Sequence, residues 1–167
     1  CDPAFIGATV RSGSESASKV VKKASPDEGV GVLCLEDGRP SIVEYYEMTD
    51  EMRTEYDEAG ELKYRFGVIL NYLFRVDALE RHIHDALSLH VVKKKIPYID
   101  EEWNQISPQE PNGYKFETLI LDMVHLMDSN LPYEVRREKE FAPVKNLHGV
   151  DSVDSARELL EKNGVLL

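Results

Sequence analysis

One lysine, one carboxylate and one amide stand where a polar ligand could be gripped. The stretch Glu110–Asn146 combines an Asn-Gly turn, an apolar segment, a strand ending Tyr133-Glu134-Val135-Arg136-Arg137, and the loop Phe141-Ala142-Pro143-Val144-Lys145-Asn146. That order puts Lys145 on a loop just past a strand, the position from which α/β proteins hold phosphate groups. Taken by itself, Lys145 reads first as a solvated loop lysine, since exposed lysines are the rule. Glu44 stands in an alternating strand, where it can face outward, pair with a lysine, or accept hydrogen bonds from a ligand. Asn71 lies in an apolar run, either as a ligand amide or as a core amide satisfied by backbone. The histidines offer little metal chemistry. His82 and His84 are two apart, and on a helix they diverge by roughly 200°. His90, His125 and His148 are isolated in the sequence.

The elements that would position these groups follow from caps, turns and periodicity. Asp2 caps a short helix that begins at Pro3 and stops at Gly13. Lys19–Lys23 reads as a strand, and Ser25–Gly29 as a turn. Val30–Leu35 and Pro40–Met48 form a hairpin about Asp37-Gly38. Tyr64–Val76 is apolar at both alternating sets, which predicts a strand buried on both faces. Asp77–Leu89 has helical spacing with Asp77 as cap and Glu80 in the capping-box position. Lys93–Asp100 is irregular or an edge strand. Phe116–Met127 is expected to be a helix with one broad apolar face, Leu131–Arg136 a strand, and Ser152–Gly164 a helix. This mixture predicts a three-layer α/β sheet, mixed but mostly parallel, flanked by helices.

With 167 residues the chain fits one domain, 1–167, with 147–167 as a C-terminal helical extension. A net charge of −11 argues against a nucleic-acid backbone or an anionic membrane as partner, though not against a phosphate ligand held by a few local cations. No apolar stretch is long enough to span a membrane. Cys1-Asp2-Pro3 lacks the features of a signal peptide and an initiator methionine, so an internal start is expected. Cys34 reads as a buried reduced thiol, and a cytoplasmic setting fits.

Seven segments in register resemble the eukaryotic UDP-N-acetylhexosamine pyrophosphorylases: Asp2–Gly7, Val30–Val32, Val43–Tyr45, Lys94–Tyr98, Pro111–Lys115, Tyr133–Val135 and Phe141–Asn146. The resemblance implies a GT-A/Rossmann-like nucleotidyltransferase fold. It also implies an enzyme that joins UTP and N-acetylglucosamine-1-phosphate into the UDP-sugar and releases pyrophosphate. In that likeness Lys145 is the catalytic, phosphate-facing lysine. Glu44 accepts hydrogen bonds from sugar hydroxyls with Tyr45 beside it, and Gly67 and Asn71 belong to the sugar-binding segment. The family's glycine-rich UTP loop and metal-binding aspartate lie N-terminal to this chain. Mg2+ is therefore expected in the parent enzyme with ligands mostly outside these residues, and the chain alone is expected to be the inactive, C-terminal, sugar-side part of the catalytic domain. A strand edge left open in such a part would favour self-association. The family's sugar-binding asparagine falls on Val68, and its paired phenylalanines fall on Leu119 and Leu121. Those departures keep two alternatives open: a non-catalytic sugar-phosphate-binding module, or a related enzyme acting on another sugar.

Overall fold

A computed structural model describes residues 2–166. The elements run α1 (Pro3–Ser12), β1 (Ser16–Lys22), β2 (Val32–Glu36), β3 (Arg39–Val43), α2 (Asp50–Thr54), β4 (Phe66–Phe74), α3 (Val76–Arg81), β5 (His90–Lys94), β6 (Tyr98–Ile99), β7 (Gln105–Ile106), β8 (Gly113–Glu117), α4 (Asp122–Leu126), β9 (Asn130–Glu134), α5 (Arg137–Glu140) and α6 (Val153–Lys162).

Local chemistry explains the ends of several elements. Asp2 accepts hydrogen bonds from the Ala4 and Phe5 amides at the start of α1, and Gly13, at φ 70°, closes it. Asp37 and Gly38 both take left-handed conformations, φ 50° and 80°, which turns β2 into β3 through a tight hairpin. Ser152 and Ser155 cap α6 reciprocally.

The main sheet has the order β3-β2-β4-β1-β9. It is mixed and flanked by helices, as expected, but it is not mostly parallel. Among the described strands only β1 and β9 pair in parallel; β1–β4, β2–β3 and β2–β4 are antiparallel. The hairpin explains part of this, because strands joined by a two-residue turn can only run antiparallel. On one face Val20, Leu33, Ile42 and Val68 pack against Leu121 and Val124 of the α4 segment, with Phe66, Tyr72, Phe74 and Leu119 around them.

Four expectations need correcting. The helix expected over Phe116–Met127 is a strand followed by a short helix. Tyr114 and Phe116 pair with Lys93 and Val91 of β5, so ladder hydrogen bonds with a distant segment outweigh the local helical pattern. Strand β4 is not buried on both faces. Opposite the single residue Lys19 it places three, Ile69, Leu70 and Asn71, and this bulge turns Leu70 (φ 57°) and Asn71 to solvent. The helix after it starts at Val76 and ends at Arg81, and Asp77 pairs with Arg75 instead of capping. The strand expected over Pro40–Met48 ends at Val43. The next residues fold into a turn in which the Glu47 and Met48 amides donate to the Glu44 carbonyl, at 2.9 and 3.3 Å.

Lys19, opposite the bulge, is buried. It reaches Asp2 at 2.8 Å and Glu140 at 2.5 Å, tying α1 and α5 to β1. Burial alone would pull its pKa down, but the two carboxylates outweigh it and the net shift is upward. Cys34 is a free thiol and only half-buried. No helix among the described residues is long and apolar enough to cross a membrane.

Candidate functional site

Glu44 begins the turn that follows β3. Strand alternation puts it on the face of Ile42, toward α4. A Cβ at Gly31 would stand 3.1 Å from Glu44 Oε1 and 3.4 Å from methyls of Ile42 and Val68, so a bare glycine backbone is what lets the carboxylate lie there. Burial pushes the Glu44 carboxyl up, the neighbouring Glu47 adds to this, and positive charge on His90 opposes it. The turn is held from below. Glu47 Oε2 accepts the Glu44 amide at 3.1 Å, while its Oε1 lies 3.7 Å from His90 Nδ1. His90 Nε2 lies 3.0 Å from both carboxylate oxygens of the buried Asp122. Its hydrogen bond to Asp122 raises the His90 pKa against the opposing effect of burial.

Beside this group is a cavity of about 410 Å³, lined by Tyr46, Glu47, His90, Asp122 and His125 with Ile42 at its wall. Burial and the negative charge of Glu44 and Glu47 push the Tyr46 phenol up to about 12, so it stays protonated and able to donate. Tyr45 packs its ring edgewise on Tyr46 at 5.2 Å, and its carbonyl accepts from Arg53 at 3.0 Å. Carboxylates beside neutral phenols, partly screened from water, are suited to a neutral polyhydroxylated ligand whose hydroxyls can both donate and accept. Among the described residues no group of three or more His, Cys, Asp or Glu side chains is arranged to hold a metal ion.

The residues singled out from the sequence do not all converge here. Glu44 and Tyr45 share the turn. Gly67 lies on β4, where a Cβ would come within 3.0 Å of Val30 Cγ1, so its missing side chain makes room for a core valine. Asn71 stands exposed on the bulge. Lys145 is exposed on its loop. Its amide donates to the Asp151 carbonyl at 2.6 Å and its Nζ lies 3.6 Å from the Asp151 carboxylate. Val68, Leu119 and Leu121, where the chain departs from the family's residues, pack into one apolar cluster. His90, Glu47 and Asp122 were not singled out. Their signal was present in one place: Asp122 is a lone acid inside Leu119-Ile120-Leu121-Asp122-Met123-Val124, and an acid in such a run needs a partner.

The sequence matches the family described as UTP–glucose-1-phosphate uridylyltransferase over residues 1–165. It is 43% identical over 148 residues to the UDP-N-acetylhexosamine pyrophosphorylase-like protein 1 of Mus musculus, which covers 87% of this chain and 29% of the mouse protein. It is 38% identical over 151 residues to the UDP-N-acetylglucosamine pyrophosphorylase of Saccharomyces cerevisiae, covering 87% of this chain and 32% of the yeast protein. Among solved structures, the inhibitor-bound uridine diphosphate N-acetylglucosamine pyrophosphorylase of Trypanosoma brucei superposes with a TM-score of 0.77 at 28% identity, over 95% of this chain and 32% of that one. The chain thus spans about a third of the length of these relatives. Motifs in register, fold and profile agree, and the chain belongs to the UTP–glucose-1-phosphate uridylyltransferase family.

Proposed function

We propose that this chain forms the sugar side of a UDP-N-acetylhexosamine pyrophosphorylase. In the reaction an oxygen of N-acetylglucosamine-1-phosphate attacks the α-phosphorus of UTP. The bond to the β-phosphate breaks, and pyrophosphate leaves with its electron pair. Within this chain Glu44 accepts hydrogen bonds from sugar hydroxyls, Tyr45 flanks it, and Lys145 neutralises phosphate charge from its exposed loop. Gly67 shapes the floor of β4 and Asn71 contributes from the bulge. Mg2+, with ligands mostly outside this chain, would supply charge neutralisation at the phosphates. The observation that carries the reading is the Glu44 carboxylate, packed against the bare backbone of Gly31 in a turn whose amide Glu47 holds at 3.1 Å, next to Tyr46 and Glu47 of the cavity wall. A cytoplasmic, reducing setting fits the free Cys34 thiol. Self-association through the open edges of β3 and β9 belongs to the same reading.

Calorimetric titration with UDP-N-acetylglucosamine and N-acetylglucosamine-1-phosphate tests it. Glu44→Gln replaces a charged acceptor of hydroxyl protons by a neutral one, a change of about 1–1.5 kcal/mol, or roughly five- to tenfold in affinity. Lys145→Ala is expected to weaken the phosphate-bearing ligands alone, leaving N-acetylglucosamine itself unaffected. A wild-type chain that binds neither ligand sinks the reading. A second reading, a related enzyme or a binding module for another sugar, is favoured by the apolar cluster of Val68, Leu119 and Leu121. Tighter binding of a different UDP-hexose would select it.

A further inference from the structure

The turn that carries Glu44 is wired to a helix on the same face of the sheet. Asp122 opens α4, His90 opens β5, and Glu47 lies in the turn. The contacts run in series: Asp122 carboxylate to His90 Nε2 at 3.0 Å, His90 Nδ1 to Glu47 Oε1 at 3.7 Å, Glu47 Oε2 to the Glu44 amide at 3.1 Å. Both ring nitrogens face carboxylates. Nε2 is within hydrogen-bond reach of Asp122, whereas Nδ1 at 3.7 Å meets Glu47 only as a charge, an attraction that the imidazolium has and the neutral ring lacks. Residues drawn from three separate segments meet here, and hydrophobic packing does not require any of them.

We propose that His90 is a positioning residue of the sugar site: as an imidazolium clamped between Asp122 and Glu47, it fixes the turn that presents Glu44 and keeps that carboxylate ionised. This rests on the role given to Glu44 above. The charged groups around the ring bear it out. Glu44 and Glu47 face it from the turn and Asp122 from α4, while the neutral Tyr46 phenol lines the same cavity. Glu117 of β8 stands opposite His90 in the two-stranded ladder and pairs with Lys115 at 2.5 Å. His125, the other histidine at the cavity, turns its ring to Ser41 and to the Ile42 backbone. The His90 cation thus lies within a ring of carboxylates. Without it, repulsion among them would protonate Glu44 more readily and loosen the turn.

The test pairs two readouts on wild type and His90→Gln, a variant that keeps a donor but no charge. The first is an NMR titration of the Glu44 side-chain carboxyl. The second is the pH profile of UDP-N-acetylglucosamine affinity. The Glu44 midpoint is expected to rise in the variant, and affinity at neutral pH to fall on the order of tenfold. Wild-type affinity is expected to decline as rising pH deprotonates His90, and this alkaline limb should be missing from the variant. A purely structural histidine would lower stability without moving either the Glu44 midpoint or the shape of the profile, and that result overturns the proposal. If wild type binds no ligand, the sugar-side reading fails, and the Glu44 titration still decides whether His90 governs that carboxylate. Should His90→Gln not fold, Glu47→Gln serves instead: the His90 midpoint must drop toward its ordinary value, and an unmoved midpoint overturns the clamp.

Discussion

Gly67→Ala separates packing from ligand contact at one of the residues first assigned to the sugar site. The added methyl would stand 3.0 and 3.3 Å from the two Val30 methyls and 3.4 Å from the Val21 carbonyl oxygen. Comfortable carbon–carbon contacts are about 3.5–4.0 Å, so Val30 must retreat by roughly half an ångström or more while the β1 backbone holds still. Overpacking of this kind costs about 1–3 kcal/mol. Reduced freedom of the unfolded chain returns about 0.4–1 kcal/mol. The expected net loss is about 1–2 kcal/mol, or roughly 2–8 °C in Tm for a domain of this size. Val30→Ala alone removes two methyl groups from a buried side chain, about 1.6 kcal/mol. In the double variant the new methyl enters the space the old ones leave, so the losses should not add, and a coupling of about 1–2 kcal/mol is expected from the cycle. Urea denaturation of the four proteins measures it. Additivity within about 0.5 kcal/mol would refute the steric account. If the double variant regains stability yet still loses ligand affinity, Gly67 contacts the sugar as well.

Further expectations concern other parts of the chain. Lys19→Met leaves the partly exposed Asp2 and Glu140 without their shared cation and should lower Tm on the order of 5 °C at neutral pH. Asp2 is held below its usual carboxylate range, first by Lys19, so the stability it contributes is present above about pH 4 and lost as acid protonates it. The difference between Lys19→Met and wild type should therefore shrink toward pH 3 in thermal melts. His90 has a raised folded pKa, so the stability of its clamp is fully present below about pH 6.5 and lost as pH rises through the folded value. Stability should decline from neutral into alkaline solution in wild type and not in His90→Gln. Ser152→Ala removes the reciprocal cap of α6 and should cost about 1 kcal/mol by chemical denaturation.

Where structure is dictated locally, it could be read from the sequence. Asp2-Pro3 and Gly13 bracket α1, Asp37-Gly38 sets the hairpin, and Ser152 starts α6, because a cap or a left-handed turn needs only the few residues next to it. Reading failed where a partner far along the chain decides. Phe116 looks helical beside Leu119 and Ile120, but Val91 claims it for a strand. Leu70 looks buried in an apolar run, but the single Lys19 opposite it forces a bulge. The site divided along the same line. Glu44 and Tyr45 are expected at the site through the likeness of the Val-Glu-Tyr segment, whereas the His90–Asp122 pair joins positions 32 residues apart and has no local spacing to betray it.

The place of β1 between β4 and β9 has a kinetic consequence. It pairs with β4, where Ser16 lies opposite Phe74, and with β9, where the same Ser16 lies opposite Asn130. Closing the second loop spans about twice as much chain as the first, an entropic difference of only about 0.6 kcal/mol. The equilibrium hardly registers this, but search time does, since folding slows as contacting residues grow more distant in sequence. The β2–β3 hairpin and its junction with β4 can assemble from near neighbours. The β1–β9 seam has to wait until the chain has been made through residue 134, and until then one side of β1 stays open to other chains.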